Sequence, residues 1–304
     1  MITVSNIDKA YGEVKALKDI SLDVEEGELF GLIGPDGAGK TTLMRILVTL
    51  LLPDKGFATL DGLDVVKDFR KIRKIVGYMP GKFSLYPDLT VAENLQFFAT
   101  VFGGTVEANY HLIKDIYIQI EPFKDRLAGK LSGGMKQKLA LSCSLIHAPK
   151  VLILDEPTTG VDAVSRKEFW EMLNKLRHQG ITIMVSTPYM DEANLCDRVA
   201  LFQNGTILSV DTPGNIIAGF SKKLFGVKVT TTAQRFECVG LLKQLGGIDS
   251  VFSFGESIHV TSSEKNMTGD RIVGYLNLKG QQGIVADEIT ASIEDVFMEL
   301  MQNS

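Results

Sequence analysis

Three observations predict an α/β fold followed by a smaller α+β domain. An apolar run of strand length, residues 28–33, leads into a glycine-rich loop and then into apolar residues at helical spacing. A second apolar run, residues 151–156, ends in two carboxylates, as strands of a parallel sheet do beside a ligand. From about residue 221, short strand-like segments flank a helical one. With 304 residues and 45% hydrophobic content, the chain has enough apolar material for both cores.

The glycine-rich loop follows the pattern G-x-x-x-x-G-K-[ST] of a phosphate-binding loop. Its glycines let backbone N–H groups turn toward an anion, and the helix N-terminus after it adds positive charge. Lys40 is expected to reach the β- and γ-phosphates of a nucleotide, and the Thr41 hydroxyl to ligate Mg²⁺. The alternative is a glycine-rich turn that happens to carry a lysine. The residues predicted to bind nucleotide here are Gly34, Pro35, Asp36, Gly37, Ala38, Gly39, Lys40, Thr41 and Thr42.

The carboxylates at the end of the second strand are Asp155 and Glu156. Such a pair is also compatible with a solvated turn, but after a phosphate-binding loop it indicates a metal and a base. Asp155 is expected to hold Mg²⁺ through water, together with Thr41. Glu156 is the predicted catalytic residue, as the base or orienter of an attacking water.

Residues 131–135 read Leu-Ser-Gly-Gly-Met and precede a segment with helical periodicity. At this point the chain resembles the ATP-binding subunits of ABC transporters, whose signature motif reads LSGGQ. The resemblance covers roughly residues 1–220. It implies a P-loop NTPase of ABC type with a mixed sheet core, an antiparallel β subdomain and a helical subdomain at about 83–150, followed by a C-terminal accessory domain at 221–304.

The resemblance also implies how the chain contacts its cofactors, ATP and Mg²⁺. Ser132, Gly133 and Gly134 would bind the γ-phosphate of ATP held by another subunit, as a second anion site at a helix N-terminus. Tyr11 would stack on adenine, although it could instead be a turn aromatic packed on the sheet. Asp162 would communicate across the dimer.

Two positions depart from the family pattern. The family has a glutamine that contacts Mg²⁺ and the attacking water where this chain has Gly81, and a histidine that donates to the γ-phosphate where it has Pro188. Loss of one preorganised donor typically costs about 10²–10³ in rate. The sequence therefore predicts a site that binds MgATP and turns it over slowly.

Partners follow from the same resemblance. The chain is similar to the ATPases of ABC-2-type exporters of the daunorubicin-resistance group, which implies integral-membrane permease subunits and a place at the cytoplasmic, inner face of the cell membrane. The intact Ser132–Gly134 segment could complete the site of a second ATP-binding subunit, so a heterodimer is favoured over a homodimer. The apolar loop at 83–87 lies where the family docks its membrane subunit, although an ordinary core loop explains it equally. Residues 292–300 resemble the C-terminal extension of such exporters, or form a simple capping helix.

Two other functions remain open. A non-hydrolytic regulatory or structural module that binds ATP would account for Gly81 and Pro188, whereas Lys40, Asp155 and Glu156 oppose it. A soluble ABC protein of translation or DNA repair is less favoured, because those proteins usually carry two ATPase units or a long coiled coil.

Composition excludes several classes. A net charge of −5 without a basic run argues against nucleic acid as a partner. No apolar run approaches the roughly 18 residues of a membrane span, and the N-terminal residues lack the apolar core of a signal peptide. Cys143, Cys196 and Cys238 lie far apart without metal-ligand spacing, so they are expected to be reduced structural thiols.

Overall fold

A computed structural model describes residues 1–82 and 84–303 of the chain. They form two compact units, Met1–Pro213 and Gly214–Ser304. The boundary expected from the sequence, at residue 220, lies a few residues after this division. A short helix precedes the first strand of the second unit, and the sequence pattern did not predict that this helix belongs to the unit.

The first unit contains two sheets and a group of helices. Its strands are β1 (Ile2–Tyr11), β2 (Val14–Val24), β3 (Leu29–Ile33), β4 (Lys55–Leu60), β5 (Leu63–Asp64), β6 (Val76–Met79), β7 (Val151–Asp155), β8 (Thr182–Thr187), β9 (Arg198–Gln203) and β10 (Thr206–Asp211). Its helices are α1 (Lys40–Leu47), α2 (Phe69–Ile75), α3 (Val91–Val101), α4 (Val106–Tyr117), α5 (Gly133–Leu145) and α6 (Ala163–His178), and α7 (Pro213–Ala218) follows at the division.

The core sheet has the strand order β10-β9-β3-β8-β7-β6 among the described residues. Only β10 runs antiparallel to its neighbour, so the predicted mixed sheet is confirmed. β3, β7 and β8 are buried along their whole length, as central strands of a parallel sheet are. Because they are parallel, their carboxyl ends meet at one edge, where Ile33 is in register with Thr187 and Asp155 with Ser186. The candidate site lies at this edge.

The second sheet has the order β2-β1-β4-β5 and is antiparallel, which confirms the predicted β subdomain. The sequence patterns at residues 1–30 and about 56–64 predict short strands, whereas β1 and β2 span 10 and 11 residues. The register between β1 and β2 shifts at several points, between Val4 and Ile7 for example. Such bulges bend a long strand and increase its twist, and this allows β1 and β2 to contribute to the same apolar cluster as α1.

The segment between β6 and β7 is helical, as predicted. Thr90 caps α3 in a capping box, in which its hydroxyl accepts from Glu93 N and the Glu93 carboxylate accepts from Thr90 N. Ser132 caps α5 through its hydroxyl alone, which accepts from Met135 N at 3.3 Å. Both helices therefore begin at side-chain caps that are visible in the sequence.

The second unit is a small α+β fold, as predicted. Its elements are β11 (Lys223–Lys228), α8 (Thr232–Leu242), β12 (Ser250–Phe254), β13 (Ser257–Ser262), α9 (Gly269–Leu278), β14 (Val285–Glu288) and α10 (Ile293–Asn303). Its antiparallel sheet has the order β12-β13-β11-β14 among the described strands. Helix α8 begins before the segment 237–245, whose periodicity predicts a helix, because Thr231 caps it.

Cys143, Cys196 and Cys238 are buried and do not pair with one another. Burial raises the pKa of the Cys143 and Cys196 thiols, which disfavours the reactive thiolate. No described helix is both long and apolar enough to cross a membrane.

Candidate functional site

The glycine-rich loop connects β3 to α1 in a conformation that needs its glycines. Gly37 and Gly39 adopt φ of +79° and +110°, a region that side chains disfavour. A Cβ atom at Gly39 would lie 2.5 Å from Ala16 O, and one at Gly34 would lie 2.2 Å from Phe202 O. The loop therefore lies against two neighbouring backbone segments, and its N–H groups can line a phosphate site at the start of α1.

Lys40, the first residue of α1, is buried at the centre of this loop. Its ammonium group donates to Gly34 O at 2.6 Å and to Pro35 O at 3.0 Å, and lies 3.7 Å from Glu156 Oε1. Burial lowers the pKa of Lys40, while the nearby carboxylates of Glu156 and Asp36 oppose that shift. The position suits a cation that contacts phosphate oxygens entering the loop.

Asp155 is almost fully buried at the end of β7. Its Oδ1 atom accepts hydrogen bonds from Thr41 Oγ1 at 3.0 Å and from Ser186 Oγ at 2.7 Å. The structure thus brings together the two residues predicted to hold Mg²⁺. A carboxylate and a hydroxyl oxygen beside a phosphate site form the hard-oxygen environment that Mg²⁺ prefers, so these residues fit the ion.

Glu156 follows directly, with a φ of +49° that is unusual for a residue with a side chain. Its backbone N–H donates to Ser186 O at 3.1 Å and lies 3.0 Å from Ser186 Oγ, which holds this conformation. Burial raises the pKa of the Glu156 carboxyl, and the positive charge of Lys40 opposes the rise. A carboxylate with a raised pKa beside a phosphate site is suited to act as a base.

A cavity of about 220 Å³ lies over this edge and is lined by Ala16, by residues 37–42 and by Glu156. None of the described residues that line this cavity belongs to residues 131–135, the signature segment. Tyr11, at the end of β1, is 48% exposed and faces Val14 across the hairpin. Its ring is accessible for stacking, and its contact with adenine stays a prediction.

The signature segment and Asp162 are adjacent to each other. A Cβ atom at Gly134 would lie 2.7 Å from Ser165 Oγ, and one at Gly133 would lie 3.4 Å from Gly160 O. Asp162 caps α6 by accepting from Val164 N and Ser165 N at 3.1 and 3.0 Å. The hydrogen bond from Ser165 N is the main cause of its lowered pKa. Ser132 and Asp162 are exposed, so both can face another molecule.

The two departures from the family pattern also lie at this edge. A Cβ atom at Gly81 would be 3.1 Å from Asp155 O and 3.7 Å from Glu156 Cβ, so Gly81 is beside Glu156 but offers it no side chain. Pro188 directly follows β8. His147 packs elsewhere, with its ring stacked on Phe102 at 3.9 Å and its Nε2 atom 3.0 Å from Val76 O.

Several polar residues at this edge are not among those predicted from the sequence. Ser186 and Thr187 end β8 in the way that Asp155 ends β7, and this position after an apolar run could have identified them. Glu192 and Thr158 are buried and hydrogen-bonded to each other at 3.1 Å. No sequence pattern signals that contact, because it joins two loops far apart in the chain.

The loop predicted to contact a membrane subunit lies only partly within the described residues, since Phe83 lies outside them. Ser84 and Leu85 line a cavity of about 430 Å³ together with apolar residues of α3 and α5 and with His147. Leu85 is buried, whereas Tyr86 is 47% exposed. This arrangement is compatible with a loop that docks on a membrane subunit and also with an ordinary core loop.

The sequence was compared with protein families and with curated proteins. The profile described as ABC transporter matches residues 17–159. The probable multidrug ABC transporter ATP-binding protein YbhF of Escherichia coli (strain K12) is 39% identical over 305 residues, which cover 99% of this chain and 52% of YbhF. This chain thus spans about half the length of that relative. The Nod factor export ATP-binding protein I of Burkholderia lata is 33% identical over 310 residues, which cover 98% of this chain and 96% of the relative.

Solved structures of ABC ATP-binding proteins are also similar to this chain. A structure described as the ATP binding subunit of an ABC transporter superposes with a TM-score of 0.66 at 26% identity, covering 72% of this chain and 92% of the other. The ATP-binding cassette MJ0796, solved as a dimer in a post-hydrolysis state with ADP and Pi, superposes with a TM-score of 0.63 at 27% identity, covering 70% and 98%. These matches confirm the predicted fold class.

Proposed function

The chain belongs to the family of ABC transporter ATP-binding proteins, and on that premise we propose that it binds MgATP and hydrolyses it to drive export through membrane partner subunits. One observation carries the proposal. The pair Lys40 and Thr41 and the pair Asp155 and Glu156 are far apart in sequence but converge at one edge of the core sheet. This convergence supports a site in which a cation, metal ligands and a base act together on phosphoryl transfer to water.

Each residue has a distinct part in this proposal. Backbone N–H groups of the loop and the Lys40 ammonium group bind and orient the phosphates. Thr41 and Asp155 would hold Mg²⁺, which neutralises charge on the phosphate oxygens when bound. Glu156 accepts the proton of the attacking water at its carboxylate. Ser186 keeps the backbone of Glu156 in the conformation that directs this carboxylate toward Lys40.

The partners in this proposal are permease subunits of ABC-2 type and a second ATP-binding subunit, at the cytoplasmic face of the cell membrane. Ser132, Gly133 and Gly134 would complete the partner's ATP site, because they do not line the cavity of their own loop. The exposed Ser132 and the exposed Asp162 support such a contact. A heterodimer is favoured, since the site on a different partner could carry its own glutamine and histidine, and this chain would complete that site with its signature residues.

A non-hydrolytic role is the second candidate, and Gly81 favours it. The position beside Glu156 where the family places a glutamine carries no side chain. In this version ATP binding holds the assembly together, and hydrolysis takes place on the partner.

ATP turnover of the complex recovered through a tag on this chain separates the candidates. Glu156→Gln removes the base and keeps the shape of the side chain, so turnover should collapse if this site hydrolyses ATP. Unchanged turnover would place hydrolysis on the partner's site. Loss of ATP binding in Lys40→Ala, with binding kept in Glu156→Gln, would support the role given to the loop.

A further inference from the structure

Glu192 is a buried carboxylate close to the site that has no place in the predicted nucleotide contacts. It lies in a short helical turn, Met190–Leu195, and only 1% of it is exposed. Its Oε2 atom accepts hydrogen bonds from Thr187 Oγ1 at 2.5 Å and from Thr158 Oγ1 at 3.1 Å. One oxygen atom therefore joins the end of β8 to the loop after Glu156.

The contact with Thr187 extends to the phosphate-binding loop. Gly34 N donates to Thr187 O at 3.3 Å, and Tyr189 N donates to Thr187 Oγ1 at 3.0 Å. Pro188 has a fixed φ, and a proline restricts the residue before it to extended backbone. The strand end held by Glu192 is therefore stiff, and the first glycine of the loop is hydrogen-bonded to it.

The contact with Thr158 acts on the other side of the catalytic carboxylate. Ser186 holds the backbone N–H of Glu156, and Glu192 holds Thr158, two residues later. Ser186, at the end of β8, thus holds Glu156 itself, and Glu192, in the turn after β8, holds the chain two residues later. Without Thr158, Glu156 would keep the anchor at Ser186 and the hydrogen bond from Thr159 N to Glu156 O at 3.2 Å, but would lose the link to Glu192.

The second oxygen of Glu192 faces α6. Its Oε1 atom lies 3.9 Å from Arg166 Nε, and both atoms are buried without a hydrogen-bond partner among the described residues. The Arg166 guanidinium also lies 4.5 Å from the centre of the Tyr189 ring. Because α6 begins just after Asp162, this ion pair connects Glu192 to the segment predicted to face a second subunit.

We propose that Glu192 is a positioning residue for ATP hydrolysis, which holds Glu156, the phosphate-binding loop and the start of α6 in one arrangement. This inference rests on the proposed function. The buried charge of Glu192 is costly to desolvate, and it is matched here by two hydroxyl donors and one guanidinium. Gly81 offers no side chain to this site, and position 188 is a proline. The hydrogen bonds and the ion pair of Glu192 therefore keep the catalytic edge rigid.

The test compares substitutions of Glu192 in the full chain with its partners. Glu192→Ala removes every contact and should lower kcat about tenfold to a hundredfold, the range for a hydrogen bond to a charged group. The KM for ATP should change little, because the loop still binds the phosphates. Glu192→Gln should restore most of kcat, because its amide oxygen can accept from both hydroxyls. Thr158→Val removes one anchor only and should lower kcat less than Glu192→Ala.

The matched control is Glu28→Ala. Glu28 is also a buried glutamate beside an arginine, Arg198 at 3.4 Å, but it lies before β3 at the opposite edge of the sheet. Its loss should reduce stability without changing kcat. If Glu28→Ala lowers kcat as much as Glu192→Ala does, Glu192 acts through general stability and the inference is wrong.

Amide hydrogen exchange gives a readout independent of turnover. Glu192→Ala and Thr158→Val should speed exchange in residues 156–162, and Glu28→Ala should leave that segment unchanged. Native turnover that Glu156→Gln does not lower would overturn the proposed hydrolysis at this site, and the exchange result alone would then decide whether Glu192 holds this segment. Normal exchange at 156–162 together with a normal kcat in Glu192→Ala would overturn the inference while the proposed function stands.

Discussion

The ammonium nitrogen of Lys40 lies 3.7 Å from Glu156 Oε1, so the cation of the phosphate-binding loop and the candidate base form one ion pair. The Lys40 side chain is buried, and 24% of the Glu156 side chain is exposed. Each charge therefore affects the protonation of the other, and a change of charge nearby should appear in the pH dependence of turnover.

A charge-removing substitution at Asp36 tests this coupling. Burial raises the pKa of Glu156, and the charge of Asp36 adds to the rise. Glu156 must be deprotonated to act as a base, so turnover falls as pH falls through this raised pKa. Asp36→Asn should therefore move the acid limb of the kcat profile to lower pH, whereas Asp36→Glu, which keeps the charge, should not. The shift should shrink at high salt, because Asp36 is exposed. An identical acid limb in all three proteins would show that Glu156 does not set it.

A side chain at Gly81 should restore part of the missing chemistry. Gly81 has no positive φ, and its Cβ would lie 3.1 Å from Asp155 O, so a side chain needs only a small shift of its neighbours. Gly81→Gln places an amide beside Glu156 and should raise turnover by about tenfold or more, toward the range for one preorganised donor. Gly81→Ala introduces the same crowding without the amide. Equal rates in the two variants would contradict the assignment of the defect to the missing glutamine.

The hydroxyl of Thr41 should set the magnesium requirement. It donates to Asp155 Oδ1 at 3.0 Å, and these two residues would hold the proposed ion. Thr41→Val removes the hydroxyl at nearly constant volume and should raise the Mg²⁺ concentration for half-maximal turnover about tenfold or more. Thr41→Ser keeps the hydroxyl and should remain close to native. A similar Mg²⁺ requirement in the valine variant would exclude Thr41 as a ligand.

In the second unit, Asp295 should carry a pH-dependent part of the stability. It is buried in the first turn of α10 and accepts from Ser292 Oγ at 2.6 Å, while His259 Nδ1 lies 2.6 Å from its other oxygen. Burial alone would raise its pKa, but these hydrogen bonds outweigh that effect and hold the pKa below its usual value.

A depressed carboxyl pKa stabilises the folded state above the unfolded pKa, and this contribution is lost as pH falls through the folded pKa. Asp295→Asn should therefore cost about 1–3 kcal/mol of unfolding free energy near neutral pH, and the difference should disappear in acid. Urea denaturation of the full chain at several pH values measures it. Asp270→Asn, an exposed acid in the first turn of α9, is the control and should have a smaller effect. A difference that is independent of pH would contradict the role of the Asp295 charge.

Several features of the site were predictable because they depend on local sequence. The loop at 34–42 needs glycines for its backbone conformation, and these glycines stand at set positions of its motif. The predicted α/β fold followed from strand-length apolar runs next to a helical pattern. These inferences held because each depends on neighbours in the chain, and the forces involved act within one turn or one loop.

Other features had no local signal. The length of β1 and β2 was underestimated, because bulges and packing against α1 extend them beyond their alternating pattern. Ser186 holds Glu156, and Glu192 holds Thr158, across a separation of 30 and 34 residues respectively. No spacing rule connects such positions before the parallel strands bring their carboxyl ends together.

The residue types alone were sufficient to predict a phosphate-binding loop, a metal-binding carboxylate and a base, since that chemistry needs glycine, lysine, hydroxyl and carboxylate groups at set positions in the chain. Tertiary structure alone decided that Lys40 faces Glu156, that Gly81 lies beside that carboxylate, and that Glu192 forms hydrogen bonds to two segments of the site. Those relationships depend on the register of β3, β7 and β8, which is set by packing over the whole sheet and by no single segment.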